Sequence, residues 1–256
     1  MYRQSRVGNW FANMPIVTKN LLIINLIMWL ASCLFPVLES FFGLHYFQAD
    51  GFKLHQVITY MFMHDNHSFS HVFFNMFAVL MFGAVMERVW GPKRFLIFYL
   101  VTGIGAGLVQ ELVWYIDLQP MMRAVNDFLI SGDTTGLGKY WNLQPGISYP
   151  AEEIVRARDA MLDRMLTVGA SGAVFGILLG FGMLFPNAPI YIMFIPIPIK
   201  AKWMVIGYGI VELFGGLANT AGDNVAHFAH LGGMVFGYFL IAYWRKKGIG
   251  NGTIIG

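Results

Sequence analysis

The sequence has little charge and almost no cysteine. Charged side chains make up 12% of its 256 residues, whereas a soluble domain has about 25%. The single cysteine, Cys33, excludes an internal disulfide and a cysteine-rich metal site. A net charge of +3 on so few charged residues gives no indication of nucleic-acid binding. Apolar residues instead dominate, at 57% of the chain with a mean hydropathy of +0.58. This composition predicts an integral membrane protein whose main solvent is the lipid bilayer.

Intervals with almost no charge predict where the chain crosses the bilayer. A transmembrane helix needs roughly 20 mostly apolar residues. Six intervals provide one helix each: 20–38, 66–86, 95–110, 165–199 with a Pro-rich turn, 203–218 and 224–244. Glu212 is the one charge inside the fifth of them. The predicted fold class is therefore all-α, a polytopic membrane protein with a six-transmembrane-helix bundle.

The positions of lysine and arginine predict the orientation of this bundle. The N-terminal segment, the connections after the second and fourth helices, and the tail hold eleven of the 17 basic residues, against one acid. By the positive-inside rule both termini are cytoplasmic. We expect a cytoplasmic N-terminal segment over 1–19, a membrane domain over 20–244 and a cytoplasmic tail over 245–256. A bacterial inner membrane suits this compact plan.

One long segment does not suit the membrane. Charged residues return between 111 and 164, and Gly-rich and Pro-Gly stretches at 132–136 and 145–146 indicate turns. Residues 151–166 have the spacing of an amphipathic helix. We expect 111–164 to be an extracytoplasmic insertion in the membrane domain.

Three groups of polar residues lie in or beside predicted spans, where polar side chains are costly and indicate function. They are His64-x-x-His67-x-x-x-His71-x-x-x-Asn75, Gly169-Ala-Ser171-Gly172, and the stretch 227–233, which contains His227 and His230. A lone membrane serine usually bonds its own helix backbone. Here small residues recur every four positions from Gly172 in the fourth helix and from Ala229 in the sixth, a pattern that favours close packing of these two helices. That packing predicts that His227 lies near Ser171.

A serine beside a histidine indicates nucleophilic catalysis. A serine hydroxyl is a poor nucleophile until a base takes its proton, and His227 is the expected base. Asp223, four residues before His227, is expected to cap the sixth helix. No acid is therefore expected to orient His227, so a dyad is predicted. Backbone N–H groups at the start of the fourth helix, that of Ser171 included, would stabilise an oxyanion. His71 and Asn75, four residues apart on one helix face, could add side-chain donors.

These residues resemble a known family, the rhomboid intramembrane serine proteases. The resemblance rests on His71-Val-Phe-Phe-Asn75, Gly169-Ala-Ser171-Gly172 and Ala226-His227-Phe-Ala-His230-Leu-Gly-Gly233, and it covers most of the chain except 111–164. It implies an endopeptidase that cleaves transmembrane-helix substrates near the extracytoplasmic face of the membrane and needs no metal or cofactor. Its partners would be such substrate proteins and the lipid bilayer, with no nucleic acid. Oligomeric state is not predicted.

The resemblance also implies residue roles. Ser171 matches the family's nucleophile and His227 its base, while His71 and Asn75 assist the oxyanion. Four residues are expected to give structural support: Gly169, Gly172, Glu87, and Phe175, which replaces a common tyrosine and offers an aromatic face to His227. His230 falls where many members carry glycine, so we expect it to pack only.

Three alternatives compete with a protease. His64, His67 and His71, or His227 with His230, could hold zinc or iron, although no carboxylate lies in the second or sixth helix to complete the ligand set. A non-catalytic relative would retain membrane clients, but such relatives typically lack the serine or the histidine. A transporter also needs polar groups in the membrane, but the sequence shows no inverted repeat.

Overall fold

A computed structural model describes residues 12–143, 147–191, 197–218 and 226–248 of the chain. In these residues the backbone is mainly helical, and the two sheets found there each pair two strands of two residues. The predicted all-α membrane bundle is confirmed. The helices, numbered in chain order, are α1 (Ile16–Leu34), α2 (Val37–Phe42), α3 (Gln56–Thr59), α4 (Phe69–Ala78), α5 (Ala84–Trp90), α6 (Pro92–Ser131), α7 (Ala151–Asp163), α8 (Ser171–Leu184), α9 (Ala201–Ala218) and α10 (His227–Lys246).

Shorter elements connect these helices. Two 3₁₀ turns occupy Tyr60–Phe62 and Leu137–Lys139, and a π-helical turn at Val79–Gly83 joins α4 to α5. The antiparallel strand pairs are β1 (Leu44–His45) with β2 (Leu166–Thr167), and β3 (Pro189–Ile190) with β4 (Ile199–Lys200). The β1–β2 pair brings the loop after α2 next to the residues that precede α8.

Four helical segments among the described residues are long and apolar enough to cross a membrane: α1, Phe69–Trp90, α6 and α9. α8 is apolar but has only 14 residues, and α10 has 20 residues and ends in basic ones. Each of the six predicted spans thus overlaps a helical segment. The number of membrane crossings itself stays a prediction.

Helix α6 is much longer than the predicted third span. It continues past Glu111 without a break and has 40 residues, which is about 60 Å or twice the hydrocarbon thickness of a bilayer. It ends where Gly132 adopts a left-handed conformation with φ 76°, a common helix terminus. The return of charge at residue 111 therefore does not mark the end of the helix.

The rest of the 111–164 insertion, after α6 ends, packs onto this extension of α6. The predicted amphipathic helix is confirmed as α7, which ends at Asp163. Two small apolar clusters join α6 to the insertion and to the loop after β1: Tyr46, Ala49, Leu118, Met121 and Leu162 in one, and Val125, Phe128, Leu137 and Ile154 in the other. The Gly51 N–H also donates to the Asp163 carboxylate, at 3.1 Å. The insertion thus has a core of its own.

Helices α6, α8 and α10 form the centre of the bundle. They approach so closely that a Cβ atom on Gly172 would overlap Ala106, and one on Gly176 would lie 2.6 Å from Thr102 Cβ. A Cβ on Gly233 would overlap the Gly172 carbonyl. The predicted contact between the fourth and sixth helices is confirmed. The glycine stripe of α8, however, mainly faces α6.

A carboxylate from α5 holds the start of α1. Glu87 is buried and accepts hydrogen bonds from the N–H of Val17 (2.9 Å), the N–H of Thr18 (2.7 Å) and the Thr18 hydroxyl (2.8 Å). The first N–H groups of a helix lack partners within it, and a negative charge there also complements the helix dipole. The contacts of Glu87 are therefore structural.

Candidate active site

Ser171 is the first residue of α8, directly after a strained turn. Gly169 has φ 132°, which side-chain-bearing residues rarely adopt, and its N–H donates to the Tyr60 carbonyl at 3.0 Å. Ala170, the N-cap, provides no side-chain cap. The first N–H groups of α8 thus have no partner within the helix, and they lie beside the Ser171 hydroxyl, where an oxyanion would form.

His230 is the histidine that contacts this serine. Its Nε2 lies 2.8 Å from Ser171 Oγ, and its Nδ1 lies 2.9 Å from Glu212 Oε2. An ionised carboxylate only accepts hydrogen bonds, so Nδ1 carries the ring proton and donates to Glu212. The lone pair of Nε2 is then directed at the serine. His230 and Glu212 are both buried, and together the three side chains form a continuous hydrogen-bonded chain.

The expected pairing of His227 with Ser171 is therefore wrong. Successive residues of an α-helix are about 100° apart, so His230 lies about 60° around the helix from Gly233, while His227 lies about 120° away. Gly233 is the residue of α10 that touches the backbone of α8. The closer angular position brings His230 to α8 and turns His227 toward α9.

His227 contacts the same carboxylate instead. Its Nδ1 lies 2.7 Å from Glu212 Oε2. A Cβ on Gly215, one turn after Glu212 in α9, would lie 2.6 Å from the His227 ring. The ring therefore packs against the backbone of α9. One carboxylate oxygen of α9 thus joins two histidines of α10, at positions i and i+3.

The aromatic face of Phe175 also contacts His230 and not His227. Its ring stacks on the ring of His230 with centroids 4.4 Å apart and planes 5° from parallel. We expected Phe175 to cover His227, and that expectation is wrong for the same helical reason. Phe175 is one turn after Ser171, so α8 both holds the serine and fixes the ring plane of His230.

The sequence predicted no role for Glu212. The expectation that no acid orients the histidine is wrong, because Glu212 contacts both His227 and His230. Glu212 interrupts an otherwise apolar span, and a charge in such a place indicates function. That signal was present in the sequence. The sequence did not show that His227 and His230 are the partners of Glu212, because no residue pattern between α9 and α10 indicates how these two helices pack. Asp223, the expected cap of the sixth helix, lies outside the described residues.

His71 and Asn75 lie at the start of the second span. His71 Nδ1 accepts a long hydrogen bond of 3.4 Å from the Asp65 N–H, so Nε2 carries the proton. A Cβ on Gly169 would lie 2.8 Å from this Nε2 and 3.6 Å from Ser171 Oγ. His71 therefore presents a donor to the space in front of the serine. Asn75 is buried, and its amide donates to the His71 carbonyl at 3.0 Å.

The other two histidines of this stretch lie in the loop before α4. His67 is exposed. His64 is fully buried, its ring centroid lies 5.1 Å from that of His71, and its ring nitrogens have no hydrogen-bond partner among the described residues. Burial, with a smaller contribution from His71, lowers the pKa of His64 to about 3, so its ring is neutral at physiological pH.

A cavity of about 370 Å³ adjoins the site from the side of α6. Its lining includes Gln110, Asp117, Gly215 and His227. Polar groups on its wall make it suited to water. The geometry thus supplies a serine, a base aimed at it, an acid behind the base, and donors for an oxyanion.

Comparison with known proteins identifies the family of the chain. The family model described as Rhomboid domain matches residues 51–117 and 128–247. An uncharacterized mitochondrial rhomboid protein of Schizosaccharomyces pombe is 29% identical over 232 residues, covering 79% of this chain and 56% of that protein. The mitochondrial RHOMBOID-like protein 12 of Arabidopsis thaliana is 30% identical over 202 residues, covering 77% of this chain and 49% of that protein. The chain thus spans about half the length of these relatives.

A shorter match extends the same relationship. The chloroplastic Rhomboid-like protein 11 of Arabidopsis thaliana is 35% identical over 95 residues, covering 36% of this chain and 32% of that protein. The names of these relatives place them in organelles, which conflicts with the expected bacterial inner membrane. The matched residues span α3 to α10 and include every side chain of the site described above. The chain is an integral membrane protein and belongs to the rhomboid family.

Proposed function

We propose that the chain is an intramembrane serine endopeptidase that cleaves transmembrane-helix substrates near the extracytoplasmic membrane face. Ser171 is the nucleophile and His230, in place of His227, is the general base. The observation that carries the proposal is the 2.8 Å hydrogen bond between His230 Nε2 and Ser171 Oγ, which is within the reach required for proton transfer.

The reaction follows from the positions of the protons. As Ser171 Oγ attacks the peptide carbonyl carbon, its proton passes to His230 Nε2, and His230 then gives it to the leaving amine. The acyl group stays on Oγ until a water molecule, deprotonated by the same Nε2, attacks its carbonyl carbon. The C–Oγ bond then breaks, the acyl group leaves as a carboxylic acid, and His230 returns the proton to Ser171 Oγ. The oxyanion is stabilised by N–H groups at the start of α8 and by the Nε2–H of His71, with Asn75 as a further donor.

Glu212 is a positioning residue in this scheme. Its carboxylate accepts the Nδ1–H of His230, which keeps the lone pair of Nε2 on the serine side. It also stabilises the positive charge that His230 gains when it takes the proton. Phe175 stacks on the same ring and restricts its rotation. The proposal is thus a serine–histidine pair supported by an acid.

Substrate is proposed to enter laterally past α9. This helix packs against α8 and α10, and much of its remaining surface is apolar and exposed: Trp203, Ile206, Val211, Phe214 and Leu217. A membrane-buried substrate helix hides its own carbonyls, so segments with helix-breaking residues should be preferred. The positive-inside rule supports cytoplasmic termini at 1–19 and 245–256, with 20–244 as the membrane domain.

Labelling with a serine-directed fluorophosphonate, together with cleavage of a labelled transmembrane substrate by the purified protein in detergent, tests the assignment. Wild type should be tagged and active, and Ser171→Ala neither. His230→Ala should lose both activities by at least about 1000-fold, while His227→Ala, its matched control three residues away, should keep a large part of each. Cleavage by Ser171→Ala would refute the proposed function, and equal losses in the two histidine variants would refute the choice of base.

A further inference from the structure

Three potential metal ligands converge behind the serine. One ligand atom each from Glu212, His227 and His230 lies within 4.8 Å of the other two. The Nδ1 atoms of both histidines lie within 2.9 Å of one carboxylate oxygen. Two imidazoles and a carboxylate are a common donor set for zinc and for iron. The carboxylate that was missing from the second and sixth helices is supplied by α9.

The spacing suits a small divalent cation. Ligand atoms around a tetrahedral zinc, with bonds near 2.0 Å, are roughly 3.3 Å apart. The two Nδ1···Oε2 distances, 2.7 and 2.9 Å, are slightly shorter. A cation could replace the two ring protons at the centre of the cluster after small side-chain shifts. The open coordination position would be filled by water, as in other zinc sites with three protein ligands.

An entry path adjoins the cluster. His227 lines the cavity of about 370 Å³ whose wall also holds Asp117 and Gln110. An acid and an amide on that wall favour a hydrated cation over an anion. The serine reaction uses Glu212 and His230 but gives no role to His227, whose Nδ1 is nevertheless directed at the same oxygen. This second histidine is the feature that catalysis leaves unexplained.

We propose that Glu212, His227 and His230 form a binding site for a divalent transition-metal cation of the zinc type, and that its occupation switches off the serine chemistry. The second half of the proposal rests on the proposed function, and the first half does not. With the cation on Nδ1, the ring proton of His230 must move to Nε2. Nε2 then donates to Ser171 Oγ and no longer accepts its proton, so the general base is lost.

The cation would also join two helices. Glu212 belongs to α9, and both histidines belong to α10. A metal bound by all three fixes α9 against α10 at the side where substrate is proposed to enter. Occupation would therefore oppose helix movement as well as proton transfer, and both effects reduce proteolysis.

Metal binding is tested first, without reference to activity. The full chain carrying Ser171→Ala is titrated in detergent with Co²⁺, whose visible absorption reports tetrahedral coordination, and then with Zn²⁺ in competition. We expect one equivalent to bind. Adding Glu212→Gln or His227→Gln should weaken binding by at least about 100-fold, whereas His67→Gln, which changes an exposed loop histidine, should leave it unaltered. No bound Co²⁺, or equal binding by all variants, would overturn the site.

Zinc is then added to the active proteins. Wild-type cleavage and fluorophosphonate labelling should fall at least tenfold on saturation and return when a chelator removes the metal. In His227→Gln the ratio of the rates with and without zinc should stay near one. Unchanged or increased wild-type activity in the presence of bound zinc would overturn the switch. If no variant cleaves any substrate but the Ser171→Ala protein binds Co²⁺, the proposed function fails and the metal site stands.

Discussion

Replacing Glu212 by glutamine tests how the acid supports catalysis. The carboxylate accepts from the Nδ1–H of both His230 and His227 through one oxygen, at 2.9 and 2.7 Å. A glutamine side chain is nearly isosteric but offers one acceptor oxygen and one donor nitrogen. If its nitrogen faces His230, that ring must carry its proton on Nε2, and the lone pair is turned away from Ser171.

The size of the effect follows from the bond that is weakened. A hydrogen bond to a charged group is worth about 1.5–3 kcal/mol, and each 1.36 kcal/mol changes a rate tenfold. Because the charge on His230 develops only in the transition state, kcat should fall by about 10- to 150-fold. KM should change little, since Glu212 lies behind the base and does not face the substrate.

The assay is cleavage of a labelled transmembrane substrate under saturating and subsaturating conditions. Glu39→Gln, the same chemical change in helix α2, is the matched control and should keep wild-type kcat. Thermal melting in detergent separates a catalytic loss from unfolding, and Glu212→Asp should recover part of the rate. A Glu212→Gln protein that is folded and has wild-type kcat would refute the positioning role.

Three further changes test other parts of the structure. Gly169→Ala places a methyl group 2.8 Å from His71 Nε2 at φ 132°, which costs about 1–3 kcal/mol. The melting temperature and kcat should both fall. The control Gly138→Ala, at a position with open space around it, should change neither. Glu87→Gln removes the charge that holds the start of α1, so the free energy of unfolding should fall by about 1–2 kcal/mol. The kcat of the folded protein should stay constant. An unaltered melting temperature would contradict this expectation. Because burial lowers the pKa of His64 to about 3, the unfolded chain, with a pKa near 6.5, binds a proton first as the pH falls. Stability should therefore be complete above about pH 6.5 and decrease toward pH 3, and His64→Leu should show a smaller loss between pH 7 and 5 in thermal melts.

Much of the fold was predictable because the bilayer constrains a chain so strongly. Low charge and long apolar intervals are sufficient to predict helices, since backbone polar groups in lipid must pair within each segment. The small residues around Gly172 and Gly233 also predicted that the fourth and sixth helices pack together. The end of α6 was not predictable in this way, because its last 20 or so residues are held by apolar contacts with the insertion.

The serine was predictable from the sequence, and its partners were not. A motif assigns chemistry to residue types, so the stretch from Gly169 to Gly172 is enough to indicate a nucleophile at Ser171. Two histidines three positions apart fit the same motif almost equally well, and only the rotation of α10 against α8 decides that His230 reaches the serine. The role of Glu212 depends in addition on how α9 packs, which is a property of the assembled bundle. The sequence thus determines which reactive side chains the helices carry, whereas the relative rotation of the packed helices determines which of these side chains touch.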